Sequence, residues 1–395
     1  MISERQLFLQ HVAQTSSSPM LLEIVKADGV TLIDANGKKY TDLISGISVS
    51  NLGHRHPAVV KAIKEQVDLY MHVMVYGEYV QSPQVQLATL LSSLTPGIDS
   101  FYFVNSGSEA IEGCIKLVKR YTGRKKIFAF KNAYHGSTTG ALSLMSSNNL
   151  TLPFEPLLPG IDFLNYNNID DLEKIDADTA AVFIELVQGE AGAIPGDSEF
   201  ITLVGKICRL KGALVVADEI QTGFGRTGSL FAFMMHSLQP DIIAIAKGMG
   251  GGMPLGAFGA SRKIMQSLSD NPALGHITTF GGNAVCCAAG LAMLQSLNES
   301  GLMKTVARKE ALIRKKLNHP LIQEITGTGL LLGIKFSSSE LNQRIITRCI
   351  ENGVITDWFL FAADKMRIAP PLIITEEELN EACTTILKSI DEIVS

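Results

Sequence analysis

The chain has 395 residues, with 34 Lys and Arg against 39 Asp and Glu for a formal charge of −5, and 46% of it is hydrophobic against 18% charged. This is the composition of a folded globular protein too long for one simple core, so two domains able to enclose a deep site are expected. It lacks the basic stripe of a nucleic-acid binder, an apolar run of about 18 residues for a membrane span, a signal-like apolar core between Met1 and Met20, and any CxxC pair, so a cytoplasmic protein with reduced cysteines is expected.

Ser3 with Gln6 has the pattern of a capping box, ahead of a short helix whose Leu7 and Phe8, with Val12, give an N-terminal arm one apolar face. From Leu21 to Leu43 the apolar residues alternate around Asp28-Gly29 and Asn36-Gly37, which predicts a small antiparallel meander. Pro57 suits the first turn of a helix carrying Val60, Ile63, Val67 and Tyr70, and Pro83 opens another with Leu87, Leu90, Leu91 and Leu94. His54 and His56 have no neighbouring Cys, Asp or Glu set; they read as loop residues and no metal is assigned.

Ser100 to Val104 reads as a strand, after which Asn105-Ser106-Gly107-Ser108-Glu109 leads into a helix bearing Ile111, Ile115 and Val118. Such a turn is either a phosphate site, through its free N–H groups and helix dipole, or an ordinary N-cap by Ser106 or Ser108. Lys126 to Phe130 is another strand, and Tyr134 just beyond it either stacks on a flat ligand or packs in its own loop.

Three further apolar runs end in polar groups: Ala180 to Ile184 before Glu185, Ala213 to Ala217 before Asp218, and Ile242 to Ala246 before Lys247 and a glycine cluster. Separated by helix-length segments, they predict a parallel sheet whose carboxyl edge collects the chemistry. A lysine desolvated there has a lowered pKa, the state in which its amine attacks a carbonyl to form a Schiff base. A carboxylate and a lysine at one edge suggest a pyridoxal phosphate site. Downstream, a strand at Leu255 to Ala260, the stretch His276 to Asn283, helices at 284–297, 302–317 and 340–352, a strand at 328–336, Arg367, and a last helix capped by Thr375 and Glu378 are expected. The predicted division is residues 1–50 as arm and meander within a small domain, 51–290 as the large domain, and 291–395 as the remainder of the small one.

Asn105 to Ala110, Tyr134-His135-Gly136, Glu185 with Gln188-Gly189-Glu190, Asp218 to Gly223, Ala246-Lys247-Gly248 and Thr279 to Asn283 stand in the order found in class III aminotransferases. The chain resembles the acetylornithine, ornithine and 4-aminobutyrate aminotransferase group over nearly its whole length. The resemblance implies an α/β fold of the fold type I pyridoxal-phosphate class, with a mostly parallel seven-stranded sheet, a smaller α+β domain from both chain ends, and a homodimer sharing two sites. It makes Lys247 the lysine that holds the cofactor and later moves the substrate proton, Asp218 the partner of the pyridine nitrogen, and Gln221 the contact to the ring hydroxyl. Tyr134 would stack on the ring, Gly107 and Ser108 would hold the phosphate, Glu185 would join the cofactor-binding set, and Thr279 would reach the neighbouring subunit's phosphate. Arg367 resembles the arginine that binds an α-carboxylate, and Glu190 the glutamate that pairs with it when the bound amine has none.

These likenesses imply transfer of an amino group from an ω-amine or amino acid to a 2-oxo acid, with 2-oxoglutarate the favoured acceptor. One departure is Ser137, which stands where acetylornithine and ornithine enzymes usually carry an arginine and so puts acetylornithine itself in question as donor. The rivals are a glutamate-1-semialdehyde-type aminomutase of the same fold, against which Glu190 argues, and a nicotinamide-dependent dehydrogenase, whose GxGxxG spacing Gly248 to Gly252 does not match. A regulatory protein that binds pyridoxal phosphate without turnover would not need so complete a set.

Overall fold

The fold is that of a computed structural model describing residues 3–75, 77–146 and 148–394. The N-terminal helix Glu4–His11 has its capping box, with Ser3 and Gln6 bonded reciprocally, but buries none of its residues. The meander forms as β1 (Ile24–Asp28), β2 (Thr31–Asp34) and β3 (Lys39–Asp42), joined antiparallel. Helices Pro57–Leu69 and Ser82–Leu94 follow and pack on a later helix, Ala284–Ser300. The first of these turns Val59 and Gln66 inward and leaves Val67 exposed, so its buried face is rotated by one residue from the predicted one. The apolar spacing fits both faces about equally, and only the position of helix Ala284–Ser300 selects between them.

The central sheet is built from β4 (Ser100–Val104), β5 (Lys126–Phe130), β6 (Ile161–Leu164) and β7 (Thr179–Glu185). A short hairpin of β8 (Val187–Gln188) and β9 (Ile194–Pro195) leaves it before β10 (Leu214–Asp218), β11 (Ile242–Ile245) and β12 (Gly256–Ala260) complete it. Seven strands lie in the order β4-β12-β11-β10-β7-β5-β6. All run parallel except β12, which is antiparallel to both of its neighbours. Every residue of β7, β10 and β11 is buried, which is why these strands read as unbroken apolar runs. Helix Gly107–Thr122 lies on one face and buries Ile111, Cys114, Ile115, Leu117 and Val118. It sits so close that a Cβ on Gly113 would fall 2.2 Å from Phe258 Cε1.

Past helix Ala284–Ser300, the predicted helix at 302–317 begins as a 3-10 turn, Leu302–Thr305, before Val306–Lys316. The single strand expected over 328–336 is instead a hairpin of β13 (Glu324–Thr328) and β14 (Leu331–Lys335), turned at Gly329 with φ +63°. A side chain at Gly329 would come within 2.6 Å of the Arg226 carbonyl oxygen, so glycine is needed there. After helix Ser339–Glu351 come β15 (Val354–Ile355), β16 (Asp357–Phe359) and β17 (Ala362–Ile368), and helix Glu376–Val394 ends the described chain. Thr375 and Glu378 form its predicted capping box, at 2.9 and 3.1 Å. β15 pairs parallel with β3, so the C-terminal segment completes the N-terminal meander as a four-stranded sheet.

Candidate active site

Parallel strands end at the same edge of a sheet, so residues just past them meet in space although far apart in sequence. Here Glu185 and Asp218 are register partners at the ends of β7 and β10, and Lys247 stands two residues past the end of β11. Around them lies a cavity of about 460 Å³ walled by Gly107, Ser108, Tyr134, Glu185, Asp218, Gln221 and Lys247. Seven of the ten predicted site residues therefore share one space.

Lys247 has φ +45°, in the left-handed region that costs a non-glycine residue roughly 1–2 kcal/mol. It opens a tight 3-10 turn, Lys247–Gly250, that aims it back at the cavity. Loss of hydration pulls its pKa down; the carboxylates of Glu190, Asp218 and Glu185 oppose that pull and the Arg367 cation adds to it. The amine is thus biased toward its neutral, nucleophilic form.

Asp218 is fixed at both oxygens: Oδ1 accepts from the Ile220 N–H at 3.0 Å, and Oδ2 lies 2.7 Å from Nδ1 of buried His135. For His135 burial lowers the pKa, but the hydrogen bond and charge of Asp218, with Glu185 behind, outweigh it and the net shift is upward. Glu185 accepts from the Tyr134 and Gly189 N–H groups, both at 3.1 Å, and burial lifts its carboxyl to about 7. The turn after β4 realises the N-cap reading and presents its first residues to the cavity. Ser106 caps the helix by accepting from the Glu109 N–H at 3.2 Å, while Gly107 and Ser108, whose amides have no partner within the helix, face the cavity.

Glu190 and Arg367 do not line this cavity but pair beside it, close enough for both charges to act on Lys247. Arg367 Nη1 and Nη2 donate to the two Glu190 oxygens, each at 2.9 Å, and Nη2 also donates to the Trp358 carbonyl at 3.0 Å. Asp357, its register partner on β16, places Oδ1 3.1 Å from Nε, but off the hydrogen-bonding direction, so that contact is Coulombic. Thr279 is exposed and stands outside the cavity. Ser137 is exposed as well, its N–H on Ser108 Oγ at 3.2 Å.

Sequence reasoning gave no role to His135 or Asp357. His135 could have been found from its place between Tyr134 and Gly136 in a quoted motif, whereas nothing local marks Asp357. A cofactor fits the unfilled valences of the site. Gln221 Nε2 and His135 Nε2 are buried without a partner among the described residues, Gly189 leaves the gap that Gln221 occupies, and Gly136, at φ +130°, lets its loop approach Ser108.

Residues 12–390 match the family described as aminotransferase class-III. The chain is 37% identical over 379 residues to the acetylornithine aminotransferase of Archaeoglobus fulgidus, covering 96% of this chain and 98% of that one. Its fold is similar to that of the ornithine aminotransferase of Toxoplasma gondii, with TM-score 0.92, 29% identity, and 100% and 95% of the two chains covered. It is likewise similar to an (S)-enantioselective omega-transaminase from Thermomicrobium roseum, with TM-score 0.90, 27% identity, and 98% and 96% covered. These relatives are aminotransferases by name, which does not favour the aminomutase alternative. The chain belongs to the class-III aminotransferases, pyridoxal-phosphate enzymes of fold type I that move an amino group from a donor to a 2-oxo acid.

Proposed function

We propose that the enzyme transfers the amino group of an ω-amine or amino acid to 2-oxoglutarate, with Lys247 as its catalytic base. The observation that carries this reading is the convergence of Lys247, Asp218 and Glu185 on one cavity beside an arginine, Arg367, already holding a carboxylate. Bound pyridoxal phosphate supplies an electron-withdrawing ring that stabilises negative charge at a substrate carbon losing its proton. Asp218, anchored by His135 and Ile220, would hold a proton on the ring nitrogen. Gly107 and Ser108 offer amides and a helix dipole to the phosphate, and Tyr134 covers the ring. Gln221 would donate to the ring hydroxyl, and Glu185, which lines the same cavity, would complete the cofactor-binding set. Lys247, its pKa lowered by desolvation, would hold the cofactor and, once the donor amine has displaced it, would take the proton from the substrate carbon.

Arg367 binds the acceptor's carboxylate, and Glu190 occupies the guanidinium when a donor presents none. Among the described residues of the cavity wall Lys247 is the only Lys or Arg, and Ser137 adds none, which supports a donor other than one anchored by a second carboxylate there. The relatives' names keep acetylated ornithine in the panel of candidates. The proposed assembly is a homodimer in which the exposed Thr279 reaches the partner's phosphate, and each chain divides into a large domain at 51–290 and a small one from 1–50 and 291–395. It acts in the cytoplasm on small molecules, without nucleic acid or membrane; no helix among the described residues is long and apolar enough to cross a bilayer.

The test is glutamate formation from 2-oxoglutarate over a panel of ω-amines and amino acids, with Lys247→Ala as control. Full activity of that variant, or purified protein without the visible band of lysine-bound cofactor, rejects the proposal.

A further inference from the structure

The loop that leaves β10 with Asp218 and Gln221 continues to Arg226, which does not line the cavity. Arg226 is fully buried, at 0% exposure, and no ion pair to it occurs among the described residues. Its donors go instead to oxygens from three distant parts of the chain. Nη1 donates to the Leu330 carbonyl at 2.9 Å and the Pro370 carbonyl at 2.5 Å, and Nη2 to Ser45 Oγ at 3.1 Å and Asn51 Oδ1 at 2.6 Å. Burying a guanidinium without a touching carboxylate is costly, and hydrogen bonds to its N–H groups are what offset that cost. What an apolar residue does not provide is a planar fork that fixes four acceptors at once.

Those acceptors belong to the two halves of the site. Pro370 follows Arg367 by three residues, and the segment from Ile368 to Leu372 is held to the N-terminal loop: Ala369 N–H to the Leu43 carbonyl at 2.6 Å, Ser45 Oγ to the Ala369 carbonyl at 2.7 Å, Leu372 N–H to the Asn51 carbonyl at 2.8 Å. On the other side Asn51 Nδ2 donates to the Phe224 carbonyl at 2.8 Å and abuts the lysine turn, since a Cβ on Gly248 would lie 2.7 Å from it. A continuous packed path thus runs from Lys247 through Gly248, Asn51, Arg226 and Pro370 to Arg367.

We infer that Arg226 is a positioning residue whose fork sets the separation between the Lys247 amine and the Arg367 guanidinium, and so where the acceptor's reacting carbon falls relative to the lysine. This rests on the reading of Arg367 as the carboxylate-binding group. A residue that merely stabilises the fold would lower the melting temperature and leave substrate parameters alone, or depress all of them together.

The experiment compares wild type, Arg226→Lys and Arg367→Lys as cofactor-loaded enzymes, measuring KM and kcat for 2-oxoglutarate and the rate at which methoxyamine, a nucleophile with no carboxylate, reacts with the bound cofactor. Arg226→Lys is expected to raise KM about tenfold while kcat falls less than about threefold and the methoxyamine rate stays within about twofold, because only the arginine side of the site has shifted. An unchanged KM, or a parallel fall in all three, overturns the inference. If Arg226→Lys does not fold, Ser45→Ala decides: it removes one acceptor and the bond to Ala369, and a KM rise of about threefold supports the inference while an unchanged KM overturns it. An unchanged KM in Arg367→Lys defeats the reading of Arg367 itself; a raised KM there but not in Arg226→Lys defeats the positioning role alone.

Discussion

Gly189 lies one residue before Glu190 and turns its open side to Gln221: a Cβ there would stand 1.9 Å from Gln221 Oε1 and 2.8 Å from its Cδ. A carbon–oxygen contact settles near 3.2 Å, so in Gly189→Ala the carboxamide must retreat by about 1.3 Å. The backbone at Gly189 is not left-handed, so the change is steric and carries no strain of its own. On the proposed role of Gln221, whose buried Nε2 has no partner among the described residues, its reach to the cofactor's ring hydroxyl would then be lost. Losing that bond costs about 1 kcal/mol, and up to about 3 if the donor is left stranded, which is roughly 5- to 150-fold in cofactor affinity. The assay is titration of the apoenzyme with pyridoxal phosphate for wild type, Gly189→Ala, Gln221→Ala and the double variant. Gly189→Ala should bind at least about fivefold more weakly, and the double variant should match Gln221→Ala, because the group being displaced is gone. Wild-type affinity in Gly189→Ala, or an undiminished cost of the alanine once Gln221 is removed, refutes the argument.

Glu190→Gln leaves a single neutral oxygen to accept from Arg367 in place of two carboxylate oxygens, so steady-state kinetics should show KM for 2-oxoglutarate falling about fivefold or more while kcat/KM for a carboxylate-free amine declines. Gly113→Ala pushes a methyl group into Phe258, and about 1–3 kcal/mol of overpacking should exceed the gain of at most about 1 kcal/mol in helix propensity; an unchanged or raised melting temperature would contradict this. Glu219 is buried, and burial lifts its carboxyl to about 7 although Thr222 and the Ala232 and Phe233 N–H groups donate to it. Because the folded state binds this proton more tightly than the unfolded one, its contribution is fully present below pH about 4.5 and shrinks by about 3 kcal/mol as pH rises through 7. Urea unfolding of the apoenzyme at several pH values should show that slope in wild type and a flatter one in Glu219→Gln; parallel slopes would rule Glu219 out as its source.

Much of the site could be read from the chain because each group stands beside the strand that presents it. Glu185, Asp218 and Lys247 each close an apolar run, and a buried parallel strand has to be apolar throughout, so the polar residue at its end is conspicuous. The same locality explains the capping boxes at Ser3 and Thr375 and the meander around its two glycine turns. The hairpin of β13 and β14 was hidden because β13, Glu324-Ile325-Thr326-Gly327-Thr328, carries a single apolar side chain and no alternation to mark it, while its turn, Gly329-Leu330, runs straight into the apolar Leu331 and Leu332. The rotated face of helix Pro57–Leu69 was undecidable without its neighbour, since Val59 and Val60 are equally apolar.

The sequence by itself determined which residues can do chemistry and the strand ends that carry them, because backbone alternation and burial act over a few residues. Only the tertiary structure decided which of them face one another. His135 meets Asp218 across 83 positions, Arg367 meets Glu190 across 177, and Arg226 gathers oxygens up to 181 residues away. Such contacts are set by the order in which strands join the sheet and by how the two chain ends close over its edge, and a charged side chain looks the same in sequence whether its partner is water or a buried carboxylate.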